Sequence, residues 1–412
     1  MRRLRRRYSP DVPARQSVLF IVFFTVFIDL LGFGIVIPLL PLYAEKYHPS
    51  PVAFGLLMSS YSAMQFLCAP LLGRLSDRFG RRPVLLVSLA GTVVGYLLFA
   101  FARSLPVLFA SRLLDGATGG NIGTAHAVIA DTTSPEERAR GMGLVGMAFG
   151  LGFIFGPAIA GFTVGLGQSA PGLAAASLSF AAFVWAFLKL PETRPEGGKG
   201  ARFSVFSFPA LGRAFRRPQI GALMLLALVT TTAFATFEST FAQFVSLRLG
   251  AGASTVAWFF VFIGMCSALV QGVLVRRLVA RVGETRLVVF GAVLLIAGFV
   301  SLRAADSVPI LLAAIAVIAL GIGITTPTLS SLVSRRSAAG EQGEILGAYQ
   351  SMGSLGRVFG PFGSENLYFR IGPDWPHWAA AALEAAALGL SAIGLLRENG
   401  KAPRAPGAGP LT

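Results

Sequence analysis

Apolar residues run along this chain in long blocks, separated by short polar stretches. Twelve blocks approach the ~20 residues needed to cross the hydrocarbon core of a bilayer, and none shows the alternation of a barrel strand. They predict helices over Ser17–Tyr43, Ala53–Leu72, Val84–Ala102, Leu105–Ala130, Met142–Val164 and Leu173–Leu190. After a polar break come Gly221–Leu247, Ser254–Val275, Leu287–Leu302, Val308–Val333, Ile345–Phe362 and Trp378–Leu396. The pattern predicts an all-α membrane protein of two six-helix bundles, 17–190 and 219–396, joined by a linker at 191–218. Polar tails occupy 1–16 and 397–412, and Gly363–Phe369 is expected in a loop after the eleventh helix.

Mean hydropathy is +0.69 and 13% of residues are charged, against about 25% in soluble domains. A net charge of +16 would suit nucleic acid, but its distribution points elsewhere. With a cytoplasmic N-terminus, 28 of the 35 Lys and Arg fall in the tails and cytoplasmic loops and five in external loops, leaving Arg112 and Arg357 inside spans. That asymmetry follows the positive-inside rule, so no nucleic-acid partner is expected and both termini are placed in the cytoplasm. The basic start and Val18–Ile28 imitate a signal peptide, yet the apolar run continues past Asp29 to Leu42 without a small-residue cleavage site. Cys68 and Cys266 lie within spans and read as free thiols. No phosphate-binding loop is present, and neither a cofactor, a metal nor an enzymatic activity is implied. Abundant alanine, glycine and arginine fit a GC-rich bacterial genome, hence a bacterial plasma (inner) membrane; separately, a monomer is expected.

The densest charge run is Gly73–Pro83, between the second and third spans. Arg277–Gly283 repeats Arg74–Gly80 at an offset of 203, with Ala280 in place of Asp77. Parallel repeats of this kind belong to transporters whose halves rock about a midplane site. Setting topology alone requires no acid in a positive loop. Asp77 can meet the positively polarised start of the eleventh helix, gaining ~0.3–1 kcal/mol, while Arg81 or Arg82 pairs with Asp131. Gly73, Asp77, Arg78, Gly80, Arg81, Arg82 and Asp131 are therefore candidates for a gating latch, with a purely topological loop as the alternative.

Ionisable residues inside spans are costly and mark functional positions. Asp29 in the first span is a candidate proton carrier, and Arg112 and Asp115 lie one turn apart in the fourth. Phe234, Phe237, Glu238 and Phe241 share a helical face by spacing, and an acid on an aromatic stripe suits a lipophilic cation. The alternative is lipid-facing rings with Glu238 at the interface. Tyr61, Gln65, Tyr349, Gln350 and Arg357 are further cavity candidates.

Gly73–Arg82 fits G-x-L-x-D-R-x-G-R-R and resembles the signature loop of the major facilitator superfamily. Asp29-x-x-Gly32-x-Gly34-x-x-x-Pro38-x-x-Pro41 is similar to the first helix of its twelve-helix drug/proton antiporters, the tetracycline-efflux type among them. Arg112–Gly119 resembles that branch's fourth-helix motif. Gly152-x-x-x-Gly156-Pro157-x-x-Ala160-Gly161 resembles the fifth-helix antiporter motif, with Ala160 at a usual glycine. The resemblance implies a cavity lined by the first and fourth helices, so that Asp29 and Arg112 can couple proton uptake to substrate release. A static Asp29–Arg112 pair, or Asp115 as the partner of Arg112, remains open. It also implies that Gly152, Gly156 and Pro157 seal an exchanger against leak. The expected function is proton-coupled export of small lipophilic or amphipathic compounds. A metabolite uniporter or symporter, or a non-transporting receptor or scaffold, are the alternatives.

Overall fold

A computed structural model describes residues 12–133, 135–193, 212, 215–337 and 342–396. Most of the predicted linker and the whole C-terminal tail lie outside these residues. Among those described, regular structure is helical and no strand occurs. The first half holds α1 (Val12–Val36), α2 (Leu40–Glu45), α3 (Pro51–Phe79), α4 (Arg81–Ala100), α5 (Leu105–Thr118), α6 (Ile122–Thr132), α7 (Pro135–Thr163) and α8 (Ala170–Lys189). The second holds α9 (Pro218–Leu249), α10 (Ala253–Leu269), α11 (Val275–Val282), α12 (Glu284–Ser301), α13 (Val308–Arg336), α14 (Gln342–Arg370) and α15 (Trp375–Leu396).

These helices trace twelve spans because three predicted ones are interrupted. Pro38 and Pro41 cannot continue an α-helical ladder, so the first span breaks after Val36 and resumes as α2. The fourth divides into α5 and α6 at a 3-10 turn over Gly119–Asn121. The eighth divides into α10 and α11 at a π turn over Val270–Leu274. Nine helices among the described residues are long and apolar enough to cross a membrane. The broken fourth span, α14, which carries Arg357 and Glu365, and α15 are not among them. Pro70, Pro157, Pro327 and Pro361 sit inside helices, as membrane helices tolerate where neighbours satisfy the freed carbonyls.

The repeat is visible in backbone conformation. Gly80 ends α3 at φ 110° and Gly283 ends α11 at φ 84°, each serving as the cap from which the next helix starts. Such φ values favour glycine, which accounts for the glycine in both copies of the loop.

The halves meet unevenly along their length. At the end opposite Gly73–Pro83, Phe54 of α3 packs on Phe369 of α14 with ring centroids 5.3 Å apart, and Phe162 meets Trp258 edge-on at 4.9 Å. Ser254 donates to the Gly161 carbonyl at 2.9 Å, and nearer the middle Ser59 donates to the Val358 carbonyl at 2.8 Å. A Cβ added at Gly55 or Gly264 would press on the backbone of the opposite half. These contacts join the halves at the far end and near the middle.

Candidate functional site

Between the halves lies a cavity of about 50 Å³. The first half contributes Phe33, Val36 and Ile37 from the α1 region, Met58, Tyr61 and Ser62 from α3, and Arg112 from α5. The second contributes Ala235, Glu238 and Ser239 from α9 and Arg357 and Pro361 from α14. Its wall is mostly apolar, with two guanidiniums and one carboxylate facing in.

Arg112 is 1% exposed and tightly held. Its Nη1 reaches Asp115 Oδ2 at 3.2 Å, and its Nε and Nη2 donate to Ser111 Oγ at 3.3 and 3.0 Å. The guanidinium lies 5.8 Å from the Tyr96 ring centroid and 5.3 Å from that of Phe99. Of the partners considered from sequence, Asp115 is in ion-pair contact with Arg112, because residues three apart share a helix face. Removing one member of such a buried pair costs about 3–5 kcal/mol, since the other charge is left uncompensated.

Asp29 is 7% exposed on α1. Its charge is felt at Tyr61 and Tyr96, whose hydroxyl reaches the Asp29 carbonyl at 3.5 Å. A Cβ at Gly32 would occupy the place of the Tyr96 ring, so the first-helix glycine makes room for the aromatic that also covers Arg112. Gly34 packs against Gly152, Gly156 and Pro157, giving the fifth-helix motif its local role: it brings α7 onto α1 directly behind Asp29.

Glu238 and Arg357 face the cavity from the second half and feel each other's charge. The rest of the aromatic stripe does not join them. Phe237 and Phe241 are fully buried in the core, against Phe299, Phe259 and Phe260, and Phe234 packs at its edge. The four-residue face is wide enough to straddle two environments, so only Glu238 turns inward. Gln65 donates to the Tyr61 hydroxyl at 3.2 Å and to the Gly119 carbonyl at 3.1 Å, bracing α3 against the broken fourth span. Tyr349 feels the charge of Arg357, but its hydroxyl reaches the Thr326 carbonyl at 3.4 Å, and Gln350 is exposed. Neither lines the cavity.

At the loop end, Asp77 is paired within its own half. It binds Arg81, whose Nε also reaches Asp131 at 3.1 Å. Arg78 lies over the Phe79 ring, and Arg82 donates to the Phe187 carbonyl at 2.7 Å. Sequence reading missed Glu192, whose carboxylate accepts from the backbone N–H groups of Arg81 and Arg82 at 2.8 and 3.2 Å. It caps α4 at a helix start that favours negative charge. The signal available was an acid directly after the sixth span. Glu365, fully buried on α14, was also passed over, because Pro361 reads as the end of the eleventh helix. Glu365 follows Arg357 and Pro361 at four-residue intervals, the spacing of one helical face.

The family model described as the major facilitator superfamily matches residues 22–407. A class G tetracycline resistance protein from Vibrio anguillarum is 33% identical over 369 residues, 88% of this chain and 93% of that protein. Major facilitator superfamily domain-containing protein 10 of Homo sapiens is 31% identical, covering 87% of this chain and 89% of that one. The crystal structure of the human organic anion transporter MFSD10 (TETRAN) superposes with a TM-score of 0.70 at 26% identity, over 93% of this chain and 100% of that chain.

Proposed function

The chain belongs to the major facilitator superfamily of transporters, and on that premise we propose that it exports a small amphipathic compound in exchange for protons. The observation that carries this reading is the central cavity. Its apolar wall holds Arg112 from one half and Glu238 with Arg357 from the other, while Asp29 and Asp115 stand behind Arg112. The tetracycline resistance relatives support a drug-like substrate, and the lipid-facing helices a residence in the bacterial plasma membrane. The basic loop end and both termini face the cytoplasm by the positive-inside rule. Protons, the exported compound and lipid are the partners, and the monomer is the working unit.

A drug-sized ligand needs a pocket of roughly 300–1,000 Å³, so the present cavity of about 50 Å³ must widen as the halves part. A proton arriving on Asp29 or Asp115 lowers the negative charge holding Arg112, freeing the guanidinium for substrate. Substrate binding then favours loss of the proton. The proton gradient supplies ~2.3 kcal/mol per charge for each 100 mV of its electrical part. A second reading rests on the lining charge: two guanidiniums against one carboxylate also fit an organic anion.

Purified protein in liposomes with an internal pH dye tests this. Adding a tetracycline should drive proton movement, and Asp29→Asn should lose uphill export by at least an order of magnitude. Substrate-independent pH traces would sink the antiport reading. Movement driven only by an organic anion would favour the second reading.

A further inference from the structure

At the far end of each bundle, opposite Gly73–Pro83, the repeat sets two cations against the turn before the last helix. In the second half the set is complete. Arg248 lies in the last turn of α9, Arg303 just after α12, and both bind Asp374, the residue before α15. Arg303 Nη1 reaches Asp374 Oδ2 at 2.7 Å, and Arg248 Nη1 reaches its Oδ1 at 3.4 Å. Arg248 also donates to the Arg303 carbonyl at 2.8 Å, and its Nε lies 3.3 Å from Asp306.

The first half repeats this arrangement without the acid. Lys46 closes α2, Arg103 follows α4, and Gln168 and Ser169 precede α8. Ser169 stands where Asp374 stands: each carbonyl accepts from the backbone N–H four residues on, at 2.9 Å from Leu173 and 3.3 Å from Trp378. Tyr47 donates to the Ala102 carbonyl at 3.0 Å, much as Arg248 does to that of Arg303. In place of the carboxylate there is a cleft of about 280 Å³, lined by Tyr47, the Ala100–Arg103 turn, Gln168 and Ser169. No acid is among its described lining residues, and Glu45, next to Lys46 in sequence, stands outside it. Arg103 is exposed and makes no ion pair or hydrogen bond among the described residues, and neither does the Ser169 hydroxyl. Lys46 donates to Gln168 Oε1 at 2.9 Å, which leaves the Gln168 NH2 group without a partner among the described residues.

Below the cleft α4 and α8 are pressed together, so that a Cβ at Gly172 would fall 2.8 Å from Ala100 Cα. Both helices expose apolar residues at seven-residue intervals: Val87, Val94 and Phe101 along α4 and its cap, and Leu173, Phe180 and Phe187 along α8. Seven residues make two turns, so each set forms one stripe. From Phe101 to Val87 is about 21 Å at 1.5 Å per residue, more than the ~15 Å of hydrocarbon in one leaflet.

We propose that this cleft binds the phosphate of an anionic phospholipid of the outer leaflet, in the place that Asp374 fills in the second half, with an acyl chain along the paired stripes of α4 and α8. The Arg103 guanidinium offers a fork that matches phosphate oxygens, and Gln168 and Ser169 offer neutral donors. Free phosphate would meet the same donors but gain nothing from the stripes. The leaflet follows from the positive-inside rule, which puts Gly73–Pro83 in the cytoplasm. The site stands apart from the central cavity and does not depend on the export reading.

Native mass spectrometry of the delipidated full chain in detergent tests this, with dioleoylphosphatidylglycerol, dioleoylphosphatidylcholine or inorganic phosphate added. One phosphatidylglycerol should be retained in preference to phosphatidylcholine. Arg103→Ala should weaken that retention about tenfold, the loss expected for one charge-assisted hydrogen bond. Arg370→Ala, which removes an exposed arginine at the same end of the other half, should not. Ser169→Asp restores the acid of the second half. It should abolish retention and raise the Tm of the lipid-free protein, whereas the unmodified chain should gain Tm on addition of phosphatidylglycerol. Equal retention of the two lipids, equal losses in the two alanine variants, or full retention by Ser169→Asp would overturn the proposal. Displacement of the lipid by inorganic phosphate would overturn the lipid assignment.

Discussion

At residue scale, the two repeated loops offer a controlled comparison. Gly80 and Gly283 both combine positive φ with ψ near 155°, a region nearly confined to glycine, so alanine at either carries strain of about 1–3 kcal/mol. Only at Gly80 would the new Cβ also strike the Glu192 carboxylate that caps α4; at Gly283 it meets open space. Displacing a cap costs roughly 0.5–2 kcal/mol more. Thermal unfolding in detergent should therefore show a larger fall in Tm for Gly80→Ala than for Gly283→Ala. Equal falls would mean that Glu192 contributes nothing as a cap. The need for glycine was legible in the sequence because the spacing recurs. Glu192 was not, because its partner is a helix start 110 residues earlier, and distance along the chain hides such contacts. The Phe234–Phe241 stripe misled for the opposite reason. Its spacing is local and correct, but a face that wide touches both the core and the cavity.

At the scale of elements, hydropathy located the spans but not their interruptions. The tenth predicted span ends at Val333 and the observed α13 runs three residues further, to Arg336, an ordinary fraying difference. The eleventh is the substantive miss. Pro361 and the polar run after it read as a loop, yet α14 continues to Arg370. Gly356 and Gly360 lie against the α9 backbone around Thr232, so α14 is held by close packing that does not depend on its own apolarity. The same extension brings Asn366 and Phe369 against Gly55 and Phe54 of the other half, so a missed helix end also concealed part of the seam.

At the scale of the whole molecule, the uneven seam predicts how the conformation can be shifted. Gly264, well inside α10, faces the Phe153 carbonyl and Ile154 on α7 across the seam. Gly264→Trp should wedge the halves apart there. Spin labels on cysteines placed at the exposed Leu166 and Ile371, one in each half, should then move further apart, while helical content stays the same. A bundle that unfolds instead, seen as lost circular dichroism, would show that the seam holds the fold together and does not merely set its state. Beyond this seam, the repeat has a slippage of register. The loop glycines are 203 residues apart, but the opening caps of the same helices, Ser50 of α3 and Gly252 of α10, are 202 apart. One surplus residue thus enters the second copy between its caps, and the π turn at Val270–Leu274 is where a helix can absorb it, since each π hydrogen bond spans one residue more than an α bond. Deleting Gly272 should then restore an unbroken helix and keep the Gly283 turn in phase, with Tm nearly unchanged. Deleting Gly73 from the first copy, which has no surplus, should rotate the end of α3 and its loop by about 100°, pull Arg81 off Asp131, and lower Tm sharply.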